Sequence, residues 1–225
     1  MGDYRTELKY FISLEQAYQL RQKLPGIMRP DRSGDGQGRY VITSLYFDDD
    51  EGSYLRESDD GVNIRKKYRI RIYNHNDSII KLEKKAKRNS LSRKTSCTIS
   101  KGLYRDIING YYDSLKSLNN TLTDELYYEI TNSGIRPKTI VEYNRQAFTY
   151  RVSNVRITLD TNVKGSCSGL DLFSPYVLTP TLPSFAVILE VKYDNFLPDF
   201  ISALLPRDAA PRLSVSKYVL GRTYI

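Results

Sequence analysis

The sequence predicts an α+β domain centred on a largely antiparallel sheet. Three observations lead there. Strand-like runs follow one another mostly at hairpin spacing, over 5–12, 40–48, 64–73, 79–87, 93–99, 139–150, 155–163 and 185–193. Helical patterns with readable start and stop signals sit between and around them. No internal repeat and no linker divides the 225 residues, which read as one domain over 1–225.

Each element has a local reason. In the first strand Glu7 and Lys9 face one way while Leu8, Tyr10 and Ile12 face the other, because successive strand side chains alternate. A helix follows in "SLEQAYQLRQKLPG", with Ser13 as N-cap, Gln16 completing a capping box, and a stop at Pro25-Gly26. "RPDRSGDGQGR" (29–39) reads as a surface loop. "YVITSLYFD" sets Ser44, Tyr46 and Asp48 against Val41, Thr43, Leu45 and Phe47, and Asp48 to Asp50 read as a strand-end loop. "RKKYRIRIY" puts Arg65, Lys67, Arg69 and Arg71 on one face and Lys66, Tyr68, Ile70 and Ile72 on the other. "IIKLEKKAK" aligns Lys81, Glu83, Lys85 and Lys87, with Ile80, Leu82 and Ala86 behind them. Helices are expected over 101–117 and 123–133, the second capped by Thr123 and ended by Gly134. "VEYNRQAF" places Tyr143 and Arg145 together, and "VRITLD" puts Arg156, Thr158 and Asp160 opposite Val155, Ile157 and Leu159. In "AVILEVKY", Glu190 and Lys192 oppose an apolar set, and short helices are expected over 198–205 and 215–221.

A net charge of +8 favours a polyanionic partner. Cys97 and Cys167 make neither a disulfide framework nor a zinc cluster, and they suit a reducing compartment. His75 is the sole histidine and sits in a turn-like "YNHND"; with no G-x-S-x-G, histidine-based nucleophilic catalysis has little support. The N-terminal "MGDYRTELKYFIS" lacks leader character, and no apolar run approaches the roughly 20 residues that span a bilayer. A cytoplasmic protein is expected, with any membrane association made through a partner.

Rows of like charge repel one another unless water or an anion lies over them. Two arrangements satisfy that constraint. The sheet can turn its charged face to solvent, or helices can cover the outside of a curved sheet and turn the charge inward. About eight strands closed on themselves leave room for side chains or one small ligand. A cationic interior must then hold water and anions, and a phosphate chain suits it because guanidinium forks bind phosphate oxygens. Carboxylates among such cations suit Mn²⁺ or Mg²⁺, which prefer oxygen donors and bridge to substrate phosphates.

"E-L-K" (7–9), "SLYFD", "RKKYRIRIY", "LEKKAK", "EYNRQAF", "VRITLD", "LEVKY" and "SKY" (216–218) follow in an order that resembles the VTC domain, from about residue 4 to 221. That domain is the catalytic part of the vacuolar-transporter-chaperone polyphosphate polymerase and belongs to the triphosphate tunnel metalloenzymes. The resemblance implies an antiparallel eight-stranded β-barrel forming a polar tunnel, with helices packed around it. It also implies metal-dependent transfer of the terminal phosphoryl group of ATP, or another nucleoside triphosphate, onto polyphosphate. By position, Arg69, Arg71, Lys85, Arg145 and Arg156 become the catalytic cations, and Tyr143 and Lys217 bind phosphate beside them. Lys9, Arg65, Lys67, Lys94 and Lys192 become further phosphate-binding liners. Glu190 matches the metal-binding glutamate, with Glu7 and Glu83 as second ligands. Near "SKY" this chain has Ser214 and Arg212 instead of an immediately preceding basic residue.

Two other activities fit the same residues. A tripolyphosphatase or nucleoside triphosphatase would use water as acceptor, and a non-catalytic sensor would bind polyphosphate or nucleotide without turnover. Nucleic acid is not expected as a partner, since the tyrosines are scattered among apolar faces and form no stacking platform.

Overall fold

The computed structural model describes residues 5–88, 91–173, 177–206 and 216–223. Eight main strands form one antiparallel sheet: β1 (Thr6–Ser13), β2 (Arg39–Asp48), β3 (Ile64–Tyr73), β4 (Asn76–Arg88), β5 (Leu91–Ile99), β6 (Arg136–Tyr150), β7 (Val155–Ser166) and β8 (Ala186–Tyr193). Their order is β1-β8-β7-β6-β2-β3-β4-β5, and two-residue strands at 29–30 and 179–180 attach to β6 and β7. The expected eight-stranded antiparallel architecture is therefore borne out, with strand 64–73 bounded as the sequence predicts.

The helices are α1 (Leu14–Lys23), α2 (Ser53–Asp59), α3 (Lys101–Ile108), α4 (Thr121–Asn132), α5 (Asp199–Ser202) and α6 (Lys217–Thr223). They lie on the apolar faces. Leu20 and Leu24, in α1 and the turn after it, share a core with Leu8, Ile157, Leu189 and Val191. Leu103 and Ile107 of α3, and Leu126 and Ile130 of α4, share another with Ile70, Ile72, Ile80 and Leu82. Burying each such side chain contributes about 1.5–3 kcal/mol, so the sheet's apolar face is fixed outward under helices. The charged faces have only the interior left.

The sheet is not hydrogen-bonded shut: β1 and β5 are the ends of its path. Curvature still brings the two sides together, because Lys85 on β4 reaches Glu7 on β1 at 2.8 Å. A side-chain ion pair thus spans the interior where no backbone ladder does.

Several element details differ from expectation for local reasons. Ser13 caps α1 with the predicted capping box, accepting from Gln16 N at 3.1 Å while Gln16 Oε1 accepts from Ser13 N at 2.9 Å. The segment 101–117 is two pieces, α3 and a 3-10 stretch at Tyr112–Leu118, because Gly110 at φ +84 turns the chain between them. Asn120, not Thr123, caps α4 by accepting from Leu122 N at 2.9 Å. Helix α5 is only four residues long, and α6 starts two residues later than expected. Lys84 ties the sheet to α4 through Glu125 at 2.6 Å, and Lys66 pairs with Glu129.

Helix α6 docks through Asp48, which is buried and was read as part of an exposed acidic loop. Its carboxylate accepts from the backbone amides of Tyr54 (2.9 Å) and Leu55 (3.1 Å) and from the Tyr218 hydroxyl. The Tyr218 ring stacks on Tyr46 at 5.1 Å. Asp48→Ala removes the acceptor of these three donors and of the Asp49 amide, and a buried donor left unpaired costs roughly 1–3 kcal/mol. The expected loss is about 3 kcal/mol, read as a lower urea midpoint at unchanged slope; an unaltered midpoint would refute the anchoring role.

Candidate active site

Three groups of side chains line the interior. The first gathers around Glu83 on β4, which is 1% exposed. Arg69 binds its carboxylate at 2.7 Å, Lys94 at 3.1 Å and Arg71 at 3.6 Å. Arg71 also donates to Ser44 Oγ (3.0 Å) and Tyr143 Oη (3.4 Å), and Arg69 to Tyr46 Oη (3.1 Å). Burial works to raise the Glu83 carboxyl, but Arg69, Arg71 and Lys94 hold it far below the usual carboxylate range.

The second group centres on Asp160 of β7, which is 0% exposed. Arg145 grips it with a two-pronged fork, Nε to Oδ1 and Nη2 to Oδ2 at 2.7 Å each. Lys217, from α6, reaches Oδ2 at 2.6 Å. Arg145 also approaches Glu190 at 3.5 Å, and both cations lie over the Tyr143 ring.

The third group joins β1, β3, β4 and β8. Glu7 pairs with Lys9 and Lys85 at 2.8 Å each, and Glu190 pairs with Lys192 at 3.0 Å. Glu7 and Glu190 also meet each other. Burial works to raise Glu190, but Lys192, the contact with Glu7, Lys9 and Arg145 hold it well below its ordinary range. Lys67 has no carboxylate partner among the described residues; its Nζ donates to Ser216 Oγ at 2.7 Å. Burial, followed by Lys9, Lys85, Arg65 and Arg69, lowers Lys67 well below the usual lysine value. Lys85 falls to about 8 through burial and Lys9, against the pull of Glu7.

These interactions place the inner charges. Lys9, Lys67, Arg69, Arg71, Lys85, Lys94, Arg145, Lys192 and Lys217 face Glu7, Glu83, Asp160 and Glu190, nine cations against four carboxylates. The surplus is positive and partly desolvated, which an anion relieves. Arg156 stands apart, 30% exposed, held by Asp31 and the Tyr40 hydroxyl at 2.7 Å each. Arg65 donates to the Val62 carbonyl at 2.6 Å and reaches the group only through its field on Lys67.

The carboxylates divide. Glu7 and Glu190 meet, whereas Glu83 is enclosed by Arg69, Arg71 and Lys94, away from that pair. No cluster of three acid, histidine or cysteine ligands occurs among the described residues. Beside Glu190, in register with it, Thr158 carries a buried hydroxyl without a hydrogen-bond partner among the described residues. Two oxygen donors and an orphaned hydroxyl fit a divalent cation whose remaining positions come from phosphate oxygens and water. Asp160, Ser44, Tyr46 and Ser216 were not selected from the sequence. Alternation did put Asp160 on the same face as Arg156, and that was its one available signal.

The VTC domain family model matches residues 4–225. The chain belongs to the VTC domain family. Among solved structures, this VTC domain is similar to a candidate adenylate cyclase from Bacillus halodurans, with a TM-score of 0.50 and 16% identity over 91% of this chain and 87% of that one. A protein from Pyrococcus horikoshii aligns at a TM-score of 0.45 and 14% identity, over 89% and 84% of the two chains. At these identities the likeness is one of fold. A search of curated proteins finds no match. Within the family, the eight-stranded architecture is the triphosphate tunnel fold, and it supports a phosphotransferase or hydrolase acting on phosphate compounds.

Burial and Lys9 lower Lys85 to about 8, so affinity for an anion placed against it is expected to depend on pH. An anion favours the charged lysine, so affinity holds below about pH 8 and falls above it, by as much as about tenfold per pH unit. Calorimetry with tripolyphosphate at pH 8 is expected to show proton uptake, and Lys85→Met to reduce it. Binding with no proton linkage in the native protein would contradict this placement of Lys85.

Proposed function

We propose that this VTC domain is a polyphosphate polymerase that transfers the terminal phosphoryl group of ATP, or another nucleoside triphosphate, to a polyphosphate chain held in the tunnel. The observation that carries this reading is the convergence of nine cations on four carboxylates, with Lys67 lacking an acidic partner among the described residues.

Phosphoryl transfer needs positioning and neutralisation of charge more than a protein nucleophile. Arg69 and Arg71 bind the transferring phosphate, and Glu83, Ser44 and Tyr46 fix them from behind, so they need not reorganise during reaction. Arg145 and Lys217 act likewise, with Asp160 as their anchor. Lys67, Lys85, Lys9 and Lys192 carry the chain along β1, β3, β4 and β8, while Arg156 and Arg65 stand at the periphery. Glu7 and Glu190 would hold Mn²⁺ or Mg²⁺, which supplies charge neutralisation at the phosphate oxygens. Glu83 is assigned to positioning the guanidinium groups and not to the metal.

In the reaction an oxygen of the terminal polyphosphate group bonds to the γ-phosphorus as the bond to the β,γ-bridging oxygen breaks, leaving nucleoside diphosphate. Water in place of the acceptor makes the same site a tripolyphosphatase or nucleoside triphosphatase.

Incubation with ATP and Mn²⁺, followed by a polymer gel, tests the reading. Arg71→Ala and Glu190→Ala are each expected to reduce chain formation by at least about 100-fold. Full activity in both variants would exclude the assignment. Orthophosphate as the sole product would select hydrolysis, and tight binding without turnover would select a sensor.

A further inference from the structure

A second cavity lies on the opposite side of the same sheet. It is a cleft of about 530 Å³ beside α1, within the range of small-molecule sites. Its floor is built from two cross-strand rows. Arg39, Gln146 and Leu159 form one, and Val41, Asn144 and Thr161 form the other. These alternate with Tyr40, Arg145 and Asp160, of which Tyr40 and Arg145 also border the cleft.

The wall is Arg21, whose Nε donates to Gln146 Oε1 at 3.1 Å. Gln146 in turn donates from Nε2 to the Gln37 carbonyl at 3.1 Å, which fixes its amide with the oxygen toward Arg21. Neither the Arg21 nor the Arg39 guanidinium forms an ion pair with a carboxylate of the described residues. Asp35 lies near Arg39, but its Oδ1 accepts from the backbone amides of Gln37 (2.9 Å) and Arg39 (2.8 Å). Burial, and then the charge of Arg39, disfavour the charged form of Arg21. Two guanidinium groups sharing a cleft with no acid between them are most simply satisfied by an anion with several oxygens.

We propose that this cleft is a separate binding site for a phosphomonoester, with Arg21 and Arg39 holding the phosphate while the amides of Gln146 and Asn144 meet a hydrogen-bonding head group. The volume exceeds what inorganic phosphate needs, and the amide-bearing floor gives the remainder something to read. Of the nine inner cations Arg145 alone borders the cleft, so the two sites have different cations apart from that residue.

Adenosine monophosphate is the probe, titrated into the nitrogen-15-labelled full chain and followed by NMR. The Arg21 Nε–H and Gln146 side-chain amide signals are expected to shift saturably, at concentrations at least tenfold below those at which inorganic phosphate shifts them. Arg39→Gln, at an exposed position, is expected to weaken that saturation at least tenfold. Silent Arg21 and Gln146 signals, equal response to phosphate, or saturation unaltered in Arg39→Gln would each overturn the proposal. Tunnel binding reports separately through the Nε–H signal of Arg69, an inner cation that does not border the cleft, so failure of either site is seen on its own.

Discussion

Everything in this molecule depends on the coupling between strand alternation and curvature. A strand that buries Tyr68, Ile70 and Ile72 beneath helices must send Lys67, Arg69 and Arg71 the other way. The same holds for β1, β4, β7 and β8. The apolar contacts drive folding, and the cations are carried inward by geometry, not by any attraction among themselves. Their mutual repulsion is then offset from within. Glu83, Asp160, Glu7 and Glu190 each sit against two or more cations, since a buried ion left alone costs several kcal/mol.

The carboxylates do unequal work. Glu83 and Asp160 are enclosed by guanidinium and ammonium groups, so they organise the arginine forks around them. Glu7 and Glu190 meet each other and are held by lysines whose flexible stems can release them. Residues of one chemical type thus divide into those that fix the site and those that can exchange partners.

Much of this was legible in advance. "RKKYRIRIY" fixed which side chains share a face, and the capping box of α1 followed from an equally local signal. Longer-range features were not legible. Asp48 looks like one acid of a loop triplet, and its hold on α6 exists only because Tyr218 returns 170 residues later. Asp160 looks like any acid on a strand until Arg145 and Lys217 close on it. Glu83 was grouped with Glu7 and Glu190 because alternation reveals the face but not the neighbour across it. The break in 101–117 turned on Gly110 adopting a left-handed conformation, which an otherwise helical pattern concealed.

Between β1 and β5 no backbone ladder closes the sheet among the described residues, so hydrogen bonds do not set its circumference. A ladder of backbone hydrogen bonds would fix the circumference at one value. Here the span is tied by Lys85 and Glu7, two side chains that can change partner without breaking a backbone bond. The wall can therefore widen and narrow segment by segment at the expense of one salt link, leaving the sheet intact.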